Sequence, residues 1–190
     1  MSPKDLLEYM DKNFSYGYLD KNNNIHRYDD PDFDDNDKWY NTYVLESYDD
    51  IERTHIGNCY DMVEYEREWF IKNGYETETY YEIVNLPYDN PYPTHSFLVF
   101  KYNDKYYHFE YSDFNNRGIH EYDSIDSLLE HQFSTYIDLL EEKSITEEEK
   151  THIVLTKFTK PKEHISAKEY INHGLNGEKV YIDRHHNIVK

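Results

Sequence analysis

Residues 94–112 have the sequence THSFLVFKYNDKYYHFEYS, in which apolar and aromatic residues flank an Asn-Asp pair. β-Branched and aromatic residues favour strands, and an Asn-Asp pair between two such runs favours a tight turn. The segment therefore predicts a β-hairpin with strands at about 95–102 and 105–112, joined by a turn at 103–104.

A two-residue turn fixes which side chains of this hairpin share a face. It places Phe97 opposite Glu110, so His95 and Glu110 lie on one face as diagonal neighbours about 7–8 Å apart. Asp113 then faces the other way, whereas a three-residue turn would reverse the parity and favour Asp113. His108 shares the face of Glu110 and is the alternative to His95 as its partner.

The chain contains a single cysteine, Cys59, at the start of a predicted helix that runs from Asn58 to about Asn73 and ends at Gly74. A helix N-terminus and a paired imidazolium both stabilise a thiolate. The first backbone N–H groups of such a helix, that of Cys59 or of Tyr60, are candidates for binding an oxyanion.

Cys59, His95 and Glu110 together supply the parts for thiol-based acyl transfer. In this interpretation His95 takes the proton of the thiol and later donates it to the leaving group. Glu110 fixes the tautomer of the imidazole and stabilises its charged form.

Four segments around these residues resemble the transglutaminase-like superfamily of papain-fold cysteine enzymes, particularly its small bacterial members. The segments are Gly57-Asn58-Cys59-Tyr60-Asp61, Thr94-His95-Ser96-Phe97-Leu98-Val99-Phe100, Tyr107-His108-Phe109-Glu110 and Arg117-Gly118-Ile119-His120-Glu121-Tyr122. The core of the resemblance covers residues 47–140. It implies a papain-like α+β fold in which a nucleophile helix packs on an antiparallel sheet, with Cys59, His95 and Glu110 at the triad positions. Glu110 stands where aspartate is commoner, and Phe97 where many members have tryptophan. Since the superfamily includes transglutaminases, amidases, peptidases, acetyltransferases and inactive members, the resemblance does not name a substrate.

The remaining sequence predicts helices mixed with consecutive strands, which indicates an α+β fold. Further helices are predicted at 3–14, 48–53, 125–140 and from 166 onward, and further strands at 16–19, 40–45, 76–86, 153–155 and 179–183. Residues 141–150 are predicted to be either a helical extension or an exposed linker. We expect residues 1–150 to form the catalytic domain, including the N-terminal helix, and residues 151–190 to form an extension packed on that domain.

The formal net charge of the 190 residues is −19, and residues 151–190 carry +3, which leaves −22 on residues 1–150. Such a charge disfavours nucleic acid and anionic membranes as ligands and favours a basic protein or peptide as substrate. It also leaves an alternative from another class: a non-catalytic acidic binding or inhibitor protein, with mimicry of DNA as one possibility.

Several sequence motifs are absent, and their absence bears on the cofactors and the cellular location that we expect. No apolar run approaches the roughly 18 residues of a membrane span, and the N-terminus has no signal-peptide pattern. One cysteine excludes an internal disulfide, which together with these features predicts a cytoplasmic protein. The acidic run 28–37 lacks EF-hand spacing and the six glycines form no phosphate loop, so we expect no metal and no cofactor. The sequence does not determine the oligomeric state.

Overall fold

The computed structural model describes residues 1–87 and 93–190 of the protein. Its helices are α1 (Pro3–Asn13), α2 (Asn36–Thr42), α3 (Tyr48–Thr54), α4 (Cys59–Lys72), α5 (Ile125–Glu142), α6 (Glu147–Lys150) and α7 (Ala167–Leu175). Its strands are β1 (Ser15–Leu19), β2 (Ile25–Arg27), β3 (Ile56–Gly57), β4 (Glu76–Val84), β5 (His95–Tyr102), β6 (Lys105–Glu110), β7 (Gly118–Tyr122), β8 (Ile153–Phe158) and β9 (Glu178–Val180). The fold is α+β, as the sequence predicted. In the described residues no helix is both long and apolar enough to cross a membrane.

The main sheet has six antiparallel strands in the order β7-β6-β5-β4-β8-β9. The predicted hairpin forms its centre, and the predicted register is confirmed from Tyr102↔Lys105 to Leu98↔Phe109. Asn103 and Asp104 both have positive φ, at 49° and 59°, which a tight type I′ hairpin turn requires and which Asn and Asp tolerate. A smaller sheet, β2-β1-β3, pairs β1 with β3 in parallel.

Helices cover both faces of the central strands. On one face the ring of Phe70 in α4 lies 4.7 Å from the ring of Phe100 and 5.2 Å from that of Phe109. On the other face Leu128 of α5 joins a buried cluster that includes Phe97. The strand side chains alternate between these two layers because successive residues of a strand point to opposite faces. The core is rich in aromatic rings. Through Phe70, α4 packs against β5 and β6, the strands that carry His95 and Glu110.

Several predicted elements are wrong in type or extent. Residues 40–45 do not form a strand, because Asp35 caps α2 through a hydrogen bond from the Lys38 N–H and the helix continues to Thr42. Strand β6 ends at Glu110 rather than at residue 112. Residues 141–150 form neither a single extension nor a linker: α5 ends at Glu142 and α6 follows separately. The last strand is shorter than predicted and begins at Glu178. Most of the loop predicted between β4 and β5 lies outside the described residues.

Candidate active site

Cys59 is the first residue of α4, and a capping box fixes its position. The side-chain oxygen of Asn58 accepts hydrogen bonds from the backbone N–H groups of Tyr60 at 2.9 Å and Asp61 at 3.4 Å. The Asp61 carboxylate accepts in return from the Asn58 N–H at 3.0 Å. The N–H of Tyr60, which the sequence suggested for oxyanion binding, is therefore engaged by the cap.

Asp61 anchors this helix start to the rest of the protein. Its carboxylate is fully buried and also accepts hydrogen bonds from the Tyr43 hydroxyl at 2.8 Å and the Glu46 N–H at 3.0 Å. Burial raises the pKa of Asp61 to about 7, although these hydrogen bonds favour the ionised form. The hydrogen bonds of Asp61 with Tyr43 and Glu46 therefore fix the start of α4, and with it the position of Cys59.

His95 connects the thiol to the predicted acid. Its Nε2 donates a hydrogen bond to Glu110 Oε2 at 2.8 Å, and its ring also interacts with the thiol of Cys59. Burial by itself lowers the pKa of His95, but the Glu110 carboxylate and the contact with Cys59 outweigh burial and raise it well above the usual value. The structure thus brings together all three residues that the sequence selected.

Glu110 is held by more than one partner. His108 Nε2 donates to Glu110 Oε2 at 3.2 Å, and the Asp113 N–H donates to Glu110 Oε1 at 2.8 Å. Burial raises the pKa of Glu110, but the charge of His95 and the hydrogen bonds from His108 and His95 reverse this and lower it well below the usual range. Glu110 is therefore an anion within the folded protein.

The structure gives different positions to the two histidines that the sequence offered as partners of Glu110. His95 borders a cleft on the protein surface, whereas His108 is buried, with 3% of its surface exposed, and its ring packs 5.1 Å from that of Phe97. Burial lowers the pKa of His108, so its neutral ring donates to Glu110. The arrangement makes His95 the ring that can reach a substrate.

The cleft beside Cys59 has a volume of about 290 Å³. Its described lining includes both Cys59 and His95, and Gln132 and Tyr136 of α5 lie on the same cleft. Of the surface of Cys59, 7% is exposed, and its sulfur lies 3.9 Å from the Thr94 carbonyl oxygen. The thiol is neither sealed in the core nor freely exposed, which suits a nucleophile approached through a cleft.

Tyr16 lies on the cleft although nothing in the sequence pointed to it. β1 pairs in parallel with β3, which sets Tyr16 opposite Gly57, two residues before Cys59. Burial raises the pKa of Tyr16 well above the usual value, and the charge of the nearby Cys59 acts in the same direction. No sequence signal could have shown this position, because it depends on pairing between segments about 40 residues apart.

A buried acid also lies behind the cleft. Gln132 Nε2 donates to Glu82 Oε2 at 3.3 Å, and the other oxygen of Glu82 has no partner among the described residues. Burial raises the pKa of Glu82 to about 8, despite the opposing charge of His95. Glu82 pairs with His95 across β4 and β5, so a protonated Glu82 supports the cleft without adding charge next to His95.

His95, His108 and Glu110, together the Glu110 cluster, are also the residues best placed to hold a metal ion. One ligand atom from each lies within 4.8 Å of the others, and two imidazoles with a carboxylate form a donor set that zinc accepts. Glu110 Oε2 already receives hydrogen bonds from both rings, so an ion would have to replace those protons. The two hydrogen bonds account for Glu110 Oε2 without a metal ion.

Comparison of the chain with known protein families, with curated proteins and with solved structures finds no match.

Proposed function

We propose that the protein is a cysteine-dependent amide or acyl hydrolase, or an acyltransferase, of the transglutaminase-like kind, acting through a thioester on Cys59. The main observation behind the proposal is the position of His95, which lies with Cys59 on one cleft and is hydrogen-bonded to the buried Glu110 carboxylate. A papain-like arrangement accounts for this position, with α4 as the nucleophile helix on an antiparallel sheet.

Each residue has a defined task in this mechanism. Nε2 of His95 is bonded to Glu110, which leaves Nδ1 to take the proton from the Cys59 thiol. The thiolate attacks the carbonyl carbon of the substrate, and His95 then donates the proton to the departing nitrogen or oxygen. Glu110 stabilises the imidazolium formed between these two steps.

The resolution of the thioester decides the reaction class. Attack by water gives a hydrolase, and attack by a primary amine gives a transglutaminase. In both cases we propose a protein or peptide substrate, with basic character because the chain carries a net charge of −19. A working free thiol also fits the reducing cytoplasm.

The test is the rate of alkylation of Cys59 by iodoacetamide at neutral pH. We expect the wild-type thiol to react faster than glutathione, and His95→Ala to lose that advantage, because the imidazolium no longer stabilises the thiolate. His152→Ala is the matched control, since His152 is exposed and lies outside the cleft lining. Equal rates for the wild type and His95→Ala would contradict the proposal.

Acyl transfer itself is measured with p-nitrophenyl acetate. We expect an acetyl group on Cys59, detected by mass spectrometry of the intact protein, and none on Cys59→Ser under the same conditions. General acid–base catalysis contributes roughly 10²–10⁴-fold, so His95→Ala should slow acylation by a factor in that range. The alternative is an acidic binding or inhibitor protein. It predicts that Cys59→Ala keeps the binding or inhibitory activity, and that neutralising the acidic residues at 28–50 abolishes that activity.

A further inference from the structure

Two backbone donors next to the nucleophile are already engaged. Attack by the Cys59 thiolate turns a carbonyl oxygen into an oxyanion that needs hydrogen-bond donors. The N–H groups of Tyr60 and Asp61 both point to the Asn58 side chain. These two donors of the first turn of α4 therefore serve the cap rather than the cleft, and the oxyanion needs a donor from another part of the protein.

The ring of Tyr16 is held where its hydroxyl meets the cleft. The parallel register of β1 and β3 places Tyr16 opposite Gly57. Edge contacts hold the ring between Phe33, with centroids 6.1 Å apart, and Phe114, with centroids 5.9 Å apart. Tyr16 lines the same cleft as Cys59 and His95. A hydroxyl positioned in this way needs little reorganisation to donate to a reacting group, which is what transition-state stabilisation requires.

The two hydroxyls that α5 contributes to the cleft donate to the backbone. The Tyr136 hydroxyl donates to the Pro93 carbonyl oxygen at 2.6 Å, and the Thr135 hydroxyl to the His131 carbonyl oxygen at 3.1 Å. Tyr16, by contrast, lines the cleft beside Cys59, and its hydroxyl lies close enough to Cys59 and Asp61 for their charges to act on it. Burial and the charges of Cys59 and Asp61 raise the pKa of Tyr16 well above the usual value, so the hydroxyl keeps that proton.

We propose that Tyr16 is a catalytic residue whose hydroxyl donates the hydrogen bond that holds the oxyanion beside Cys59. This role depends on the proposed acyl-transfer function. In the first step the Cys59 sulfur bonds to the carbonyl carbon, and the π electrons of the carbonyl move to the oxygen, which accepts the Tyr16 O–H. In the second step the oxygen returns those electrons, the bond to the leaving group breaks, and His95 gives the leaving group the thiol proton.

Tyr16→Phe separates this role from thiol reactivity, because phenylalanine keeps both ring contacts and removes only the hydroxyl. Alkylation by iodoacetamide occurs at a saturated carbon and forms no oxyanion, whereas acylation by p-nitrophenyl acetate does. We expect Tyr16→Phe to lower the acylation rate by about 10²–10³-fold, as for the loss of one oxyanion donor, and to leave the alkylation rate within about twofold of wild type.

The control is Tyr181→Phe, which makes the same change at a residue that is 65% exposed and outside the cleft lining. It should leave both rates unchanged. Acylation of Tyr16→Phe at or above the wild-type rate would overturn the role of Tyr16 while leaving the proposed function intact. Parallel loss of alkylation and acylation would also overturn it, because Tyr16 would then act only on the position of the thiol. A wild-type thiol that is alkylated no faster than glutathione would refute the proposed function itself.

Discussion

Glu110→Gln is the most informative perturbation of the site, because glutamine has the shape of glutamate without its charge. In the wild type Glu110 Oε2 accepts from His95 and His108, while Oε1 accepts from the Asp113 N–H. A glutamine has one oxygen and one NH₂ group. Either orientation of the amide therefore turns a donor toward at least one of these N–H groups.

This change has two effects. A buried donor left without an acceptor costs about 1–3 kcal/mol, and we expect Glu110→Gln to lower the free energy of unfolding by that amount. The charge of Glu110 raises the pKa of His95, so the pKa of His95 should fall when that charge is removed. The imidazolium that stabilises the thiolate is then lost at a lower pH.

The assay is the alkylation rate of Cys59 by iodoacetamide as a function of pH, with urea unfolding measured on the same samples. In the wild type, the protonated ring of His95 accelerates alkylation until it loses its proton at high pH. We expect this acceleration to disappear at a lower pH in Glu110→Gln. Glu76→Gln, an exposed position on β4 of the same sheet, is the matched control and should leave both measurements unchanged. An unchanged alkylation profile together with unchanged unfolding would refute the assignment of Glu110 as the charged partner of His95.

Three further predictions concern metal, packing and pH. Treatment with EDTA should leave alkylation and acylation unchanged; loss of both activities, restored by Zn²⁺, would make the Glu110 cluster a metal centre. Gly174→Ala should destabilise the protein by about 1–3 kcal/mol in urea unfolding, because its Cβ would lie 2.4 Å from a ring atom of the fully buried Tyr81; a gain in stability would contradict this packing. Burial raises the pKa of Asp20, but hydrogen bonds from His26 and the following turn outweigh it and lower the pKa to about 2. Its stabilisation is therefore present above the usual aspartate pKa of about 4 and lost as pH falls toward 2. The difference in unfolding free energy between the wild type and Asp20→Asn should shrink over that range, and a constant difference would show that the charge of Asp20 does not contribute.

Two separate observations select the candidate residues. The resemblance to the transglutaminase-like superfamily comes from short motifs and selects Cys59, His95 and Glu110, whereas the hairpin geometry selects His95 and Glu110. The geometry comes from the turn at 103–104, whose register places His95 and Glu110 on one face whether or not the resemblance is correct. The hairpin register therefore supports the pairing of His95 with Glu110 independently of any superfamily.

Sequence reasoning failed where competing local signals were close in strength. Residues 40–45 contain aromatic residues typical of a strand, but the Asp35 cap lies upstream and the helix propagates from it to Thr42. Cap residues are visible in a sequence, yet their effect depends on the packing of the helix that follows. Here α2 packs against α7, which is more than 100 residues away in the chain.

The sequence by itself determined the features that depend on neighbours along the chain. The cap before Cys59, the turn at 103–104 and the alternation of side chains along β5 and β6 are set by local hydrogen bonding and strand geometry. Only the tertiary structure decided the contacts across distant segments: the position of Tyr16 on the cleft beside Cys59 and the contact of Glu82 with Gln132. These contacts arise from the pairing and packing of elements far apart in sequence, and no local pattern specifies which of many compatible partners will meet.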